Sequence, residues 1–167
     1  MQNQKEMEKG KTALLASAAV GVAIVVLSLV PVRIGAAAGA TMAERLAHPF
    51  CHANIFHAAA NAWCLVSIAH AYRVTVWELL AAYAIAVSVP SFVLSATPTM
   101  GLSGACFALI GMMVRKVARR MYYNAFALAF VAIGFLVPAV NAFLHLWCLA
   151  VGEGIAILNM PAPWNRR

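Results

Sequence analysis

The sequence predicts an all-α membrane protein, a bundle of six transmembrane helices with both termini in the cytoplasm. Three observations carry that reading. Of 167 residues, 64% are hydrophobic and only 10% are charged, which excludes a disordered chain and an ordinary soluble domain. The apolar residues gather into stretches close to the ~20 residues that one span needs. Ten of the twelve basic residues fall on one side of that layout, and basic loops stay in the cytoplasm.

The elements follow in order. A basic cytoplasmic segment, residues 1–11, carries Lys5, Lys9 and Lys11. The transmembrane domain occupies 12–160, with spans at 12–32, 52–72, 75–95, 103–121, 122–140 and 142–160. The first apolar run is longer than the core of a signal peptide, so a retained helix is expected. The longest loop, 34–51, faces outside and carries Arg45, with Arg33 just before it. Arg73 lies between spans two and three, and Arg115, Lys116, Arg119 and Arg120 lie between four and five. A cytoplasmic tail, 161–167, ends in Arg166 and Arg167. Pro31, Pro90, Pro98, Pro138 and Pro161 fall near span ends, where the missing N–H costs least.

The formal charge of +7 would suggest nucleic acid, but its placement between apolar stretches assigns it to the bilayer surface instead. The bilayer is the expected partner, and nucleic acid is not. Cys51, Cys64, Cys106 and Cys148 have no CxxC spacing and read as small buried hydrophobes, not as a disulfide framework or zinc site. No HExxH motif occurs, intramembrane carboxylates are nearly absent, and neither metal nor organic cofactor is implied.

Polar side chains inside hydrocarbon are costly and tend to be functional. Four of them converge in depth. With Arg115 at the cytoplasmic surface, the 1.5 Å rise per residue puts Ser103 about 10 Å below the outer surface. The same count from Arg73 gives Asn61 that depth and puts His57 about one turn higher. His145, counted from Pro161, lies near the level of His57. The loop Ser95–Gly101 must therefore dip into the bilayer, which irregular backbone tolerates only beside a watery or protein-walled cavity. A hydrolase needs such a cavity.

A serine becomes a nucleophile when a base takes its proton, and histidine suits that role. Ser103 and His145 form the candidate catalytic dyad. Glu153 is about 12 Å deeper than His145 along its helix and cannot orient the imidazole. His57 and Asn61, at i and i+4, share a helix face and join the Ser103 N–H as candidate oxyanion donors. Gly101 and Gly104 permit a tight entry turn and close helix approach. His52, five residues from His57, is predicted about 140° round the helix, with a structural hydrogen-bonding role. His48 and His70 read as interfacial, and Asn141 as a cap or a water ligand. The tryptophans read as interfacial anchors.

Three segments carry a resemblance. His52-Ala-Asn-Ile-Phe-His57-Ala-Ala-Ala-Asn61, Gly101-Leu-Ser103-Gly104-Ala-Cys-Phe107 and His145-Leu-Trp-Cys-Leu-Ala-Val-Gly152 resemble, in order, the signatures of helices two, four and six of rhomboid intramembrane serine proteases of the compact six-helix kind. The similarity spans roughly residues 44–156. It implies Ser103 as nucleophile, His145 as base, and His57, Asn61 and Gly101 around the oxyanion. His52, Gly104, Phe107 and Gly152 would be supporting residues. The substrates would be transmembrane segments of other proteins, cleaved near the outer face of the cell membrane. Three positions depart from the family pattern. Glu44-Arg45 stands where Trp-Arg is frequent, and Phe107 where tyrosine is frequent. Cys148 replaces a glycine, which predicts a looser contact between helices four and six. The competing expectation is a non-proteolytic rhomboid-like protein that binds client helices. Such relatives usually lack the serine or the histidine, and both are present here.

Overall fold

The computed structural model describes residues 2–159. The predicted tail 161–167, with Pro161 and Trp164, lies outside the described residues, as do the side chains of Lys5 and Lys9. The described residues form seven α-helices: α1 (Gln2–Leu27), α2 (Met42–Ala47), α3 (Ile55–Tyr72), α4 (Val76–Val87), α5 (Ser103–Met113), α6 (Arg120–Gly134) and α7 (Ala142–Leu158). Short 3₁₀ turns cover His48–Phe50 and Val114–Lys116.

The six long helices follow the six predicted stretches, but most are shorter. Gly10–Leu27 is long and apolar enough to cross a membrane by itself, whereas Val76–Val87 and Ala142–Leu158 are apolar but shorter. The difference lies in apolar residues that belong to loops. After Val87 come Val89, Phe92, Val93 and Leu94 outside α4, because Pro90 disfavours helix at the residue before it. Phe135, Leu136 and Val137 similarly follow α6 ahead of Pro138. Counting hydrophobicity cannot separate such residues from a span. At the other end, α1 extends back to Gln2, into the segment expected to precede the helix.

The loop expected to face outside, 34–51, is also more structured than expected. Thr41 and Glu44 form a reciprocal capping box that starts α2. These bonds hold the exposed Glu44 carboxyl below its usual range. The same device, Thr75 with Glu78, starts α4. Both were legible as T-x-x-E.

α5 sits in the middle of the bundle. Eight of its eleven residues are buried, among them Gly104, Cys106, Leu109 and Met113. Against it lies α7, at backbone contact range. A Cβ on Gly152 would overlap the Ala108 carbonyl, and one on Gly111 would overlap the Leu149 carbonyl. Without a hydrophobic drive between helices in lipid, such close van der Waals packing is what holds them. Cys148 is fully buried in the same seam, with its Sγ 3.4 Å from where a Gly104 Cβ would stand. Gly111 and Gly152 bring the two backbones to contact range in that seam. On the other side, Ala13, Ser17, Gly21 and Ile24 turn the buried face of α1 inward. A Cβ at Gly21 would come within 3.2 Å of Ala62 on α3.

The charged end of the bundle is tied by one carboxylate. Glu78 accepts from Arg115 at 2.7 Å and from Lys116 at 3.0 Å, while Lys116 also donates to the Tyr72 and Arg73 carbonyls. Glu78→Ala removes this junction and the carboxylate half of the α4 capping box, and leaves the bond from the residue 78 N–H to Thr75 Oγ1. It is expected to lower stability by about 1–2 kcal/mol, read as a drop in melting temperature. Glu78→Gln, which keeps an acceptor, loses less.

Candidate active site

The loop before α5 is held from several directions. Ala36 and Thr99 exchange two backbone hydrogen bonds of 2.9 Å, and the Ala38 N–H donates to the Ser95 carbonyl at 3.2 Å. Arg45 donates to the carbonyl of Val89 and, at 2.8 Å, to Ser91 Oγ. Arg45 thus clamps the outer loop to the chain leaving α4, a role for which no clue existed in sequence spacing. The Gly101 N–H donates to the His48 carbonyl at 2.9 Å. Gly101 adopts φ +112°, a conformation other residues rarely take.

His52 and His48 correct two expectations. His52 precedes α3 and is not part of it, so the helical angle to His57 does not apply. The two rings instead meet edge to face, with centroids 5.0 Å apart. His52 Nε2 accepts the Leu102 N–H at 3.3 Å. Its proton therefore sits on Nδ1, which donates to the Phe50 carbonyl at 3.3 Å. Through the Leu102 bond the ring stands against the residue that precedes Ser103. His48, expected at the interface, is buried, with Nδ1 2.8 Å from the Arg45 carbonyl. His70 is exposed.

Burial pushes the His48 imidazole below its ordinary range, and the Arg45 charge acts in the same direction against the carbonyl bond. A base with a depressed folded pKa stabilises fully above its unfolded value. That contribution is lost as pH falls through about 6.5 and below. The melting temperature should therefore drop on acidification from pH 7 to 5, and the drop should be smaller in His48→Gln.

Ser103 is the first residue of α5, so its N–H lies among those with no intrahelical acceptor. Its Oγ is 2.8 Å from His145 Nε2. The Phe107 ring, one turn along α5, stacks on the His145 imidazole with centroids 4.4 Å apart and planes 21° apart. Phe107, standing where the resemblance leads one to expect tyrosine, thus packs on His145 without a hydroxyl. Asn141 caps α7 through the Leu144 N–H at 3.0 Å. Its amide donates to Thr99 Oγ1 at 3.1 Å and to the Val93 carbonyl at 3.4 Å. One residue thus starts the His145 helix and fastens it to the loop that leads into Ser103. Glu153 lies farther along α7, beside Gly111, away from the imidazole.

His57 and Asn61 close the other side. A Cβ on Gly101 would stand 2.8 Å from His57 Cε1 and 3.4 Å from Asn61 Nδ2. Asn61 Nδ2 donates one proton to the His57 carbonyl at 3.1 Å, leaving its second N–H available. Asn54 caps α3 through the His57 N–H at 2.9 Å, which fixes where His57 enters the helix. Among the described residues, no three His, Cys, Asp or Glu side chains are grouped as metal ligands.

The family model of the Rhomboid domain matches residues 40–159. That range contains every site residue described above and excludes α1. No curated protein and no solved structure matches the chain.

Proposed function

Because this chain belongs to the rhomboid family of integral membrane proteins, we propose that it is an intramembrane serine protease that hydrolyses peptide bonds in or near transmembrane segments. The observation that carries the proposal is the 2.8 Å contact between Ser103 Oγ and His145 Nε2. A non-proteolytic client-binding protein has no use for that pair.

In this reading residues 12–160 form a six-span domain with both termini in the cytoplasm of the cell membrane. The site opens toward the outer face, and the short basic segment 1–11 and tail 161–167 flank the domain. His145 takes the Ser103 proton as Oγ bonds to the scissile carbonyl carbon, and the carbonyl π electrons move to oxygen. The Ser103 N–H, His57 and the second Asn61 N–H face the oxyanion. His145 returns the proton to the leaving amide nitrogen as the C–N bond breaks. Water then enters, gives a proton to His145 and attacks the acyl-enzyme. The proton passes back to Ser103 as the acid product leaves. Stacking on Phe107 holds the imidazole in place.

The test is cleavage of a transmembrane reporter substrate by purified protein in liposomes, comparing wild type with Ser103→Ala and His145→Ala. Activity that survives Ser103→Ala overturns the assignment. His57→Ala and Asn61→Ala are each expected to lower kcat by up to about 10²-fold with little change in KM. Hydrolysis inside a helix requires local unwinding, so small or helix-breaking substrate residues near the cut should favour cleavage. Replacing them with leucine should slow it.

A further inference from the structure

We infer that the open hollow at the start of α6 binds the phosphate of an anionic phospholipid. This rests on the membrane placement proposed above. The connection carries Arg115, Lys116, Arg119 and Arg120. Arg115 and Lys116 are engaged with Glu78, and Lys116 also with two carbonyls at the end of α3. Those two cations serve the fold.

Arg119 lies beyond them, in the run Val117, Ala118, Arg119, Arg120, Met121 and Tyr122 that lines a hollow of about 600 Å³. The hollow is open to the surface, and no carboxylate lines it. A guanidinium presents a planar fork of donors that matches two phosphate oxygens.

A lipid, and not a free phosphate, is indicated by what adjoins the hollow. Tyr122 is exposed at its rim. From it an exposed apolar stripe continues along one face of α6 through Phe126, Phe130 and Ile133, at helical spacing. A headgroup at Arg119 would lay its acyl chains along this stripe. One molecule would then meet both the cationic hollow and the apolar face above it, which an inorganic anion cannot do.

The experiment is native mass spectrometry of the full chain in neutral detergent, titrated with phosphatidylglycerol or phosphatidylcholine. Wild type is expected to retain phosphatidylglycerol at about tenfold lower concentration than phosphatidylcholine. Arg119→Gln should reduce that preference about fivefold, in line with one basic residue at a membrane surface. Arg119→Lys, which keeps the charge but not the fork, should fall between wild type and Arg119→Gln, and Arg33→Gln, at the other end of the bundle, should leave it unchanged. A preference equal in Arg119→Gln and wild type overturns the inference. So does complete loss of the preference on adding inorganic phosphate at matched ionic strength, which would mean that the lipid chains contribute nothing. Cleavage measured on the same samples separates the two readings. Intact cleavage without a phosphatidylglycerol preference sinks this inference alone. A preserved preference without cleavage sinks the protease reading alone.

Discussion

Ser103→Ala and His145→Ala are each expected to reduce cleavage by at least about 10³-fold, with the double variant no worse than either single one. The two side chains act as a unit, since the proton lost by one is the proton gained by the other. Removing Oγ removes the atom that bonds to carbon. Removing the imidazole leaves a hydroxyl with no base to activate it. The Ser103 variant should fold normally, because its hydroxyl is half-buried at the start of α5 and α5 is held elsewhere by its glycine seam with α7. An unchanged melting temperature together with lost cleavage is the signature of a chemical role. EDTA should leave wild-type activity unchanged, since no step assigned to these residues uses a metal.

Gly152→Ala should be, with Gly111→Ala, among the most damaging single methyls in the bundle. The added Cβ would overlap the Ala108 carbonyl, and a backbone atom cannot rotate aside. α5 and α7 must then move apart. The expected cost is about 1–3 kcal/mol of stability. The same separation would stretch the Ser103–His145 contact, since one residue is on each helix. A displacement near 1 Å can cost about 10²-fold in rate. Gly154→Ala is the matched control. It is two residues along the same helix, a Cβ there would meet nothing within 4 Å, and neither stability nor cleavage should change. If the two variants behave alike, close approach at Gly152 does not hold the dyad together.

The residues proposed for chemistry were legible in the sequence because a polar side chain in an apolar stretch has a high cost without a purpose. Ser103, His145, His57 and Asn61 stood out on that ground, and depth counting brought them to one level. The membrane class and the six apolar stretches were legible from composition and spacing for the same solvation reason. The helix starts at Thr41 and Thr75 could also be read, since a capping box is local.

What the tertiary structure alone decided depends on partners distant in the chain. Arg45 binds the Val89 carbonyl and Ser91, His52 takes the Leu102 N–H, Asn141 reaches Thr99, and Glu78 joins Arg115 to Lys116. Two of these partners, the Val89 carbonyl and the Leu102 N–H, are backbone groups, which nearly every residue type offers equally, so no pattern of side chains announces them. Helix length was hidden in the same way, because an apolar residue in a loop that dips between helices has the hydropathy of one in a span. Solvation free energy is a property of each residue and is written in the sequence. The pairing of backbone groups and the distance of closest approach arise only when separate segments meet.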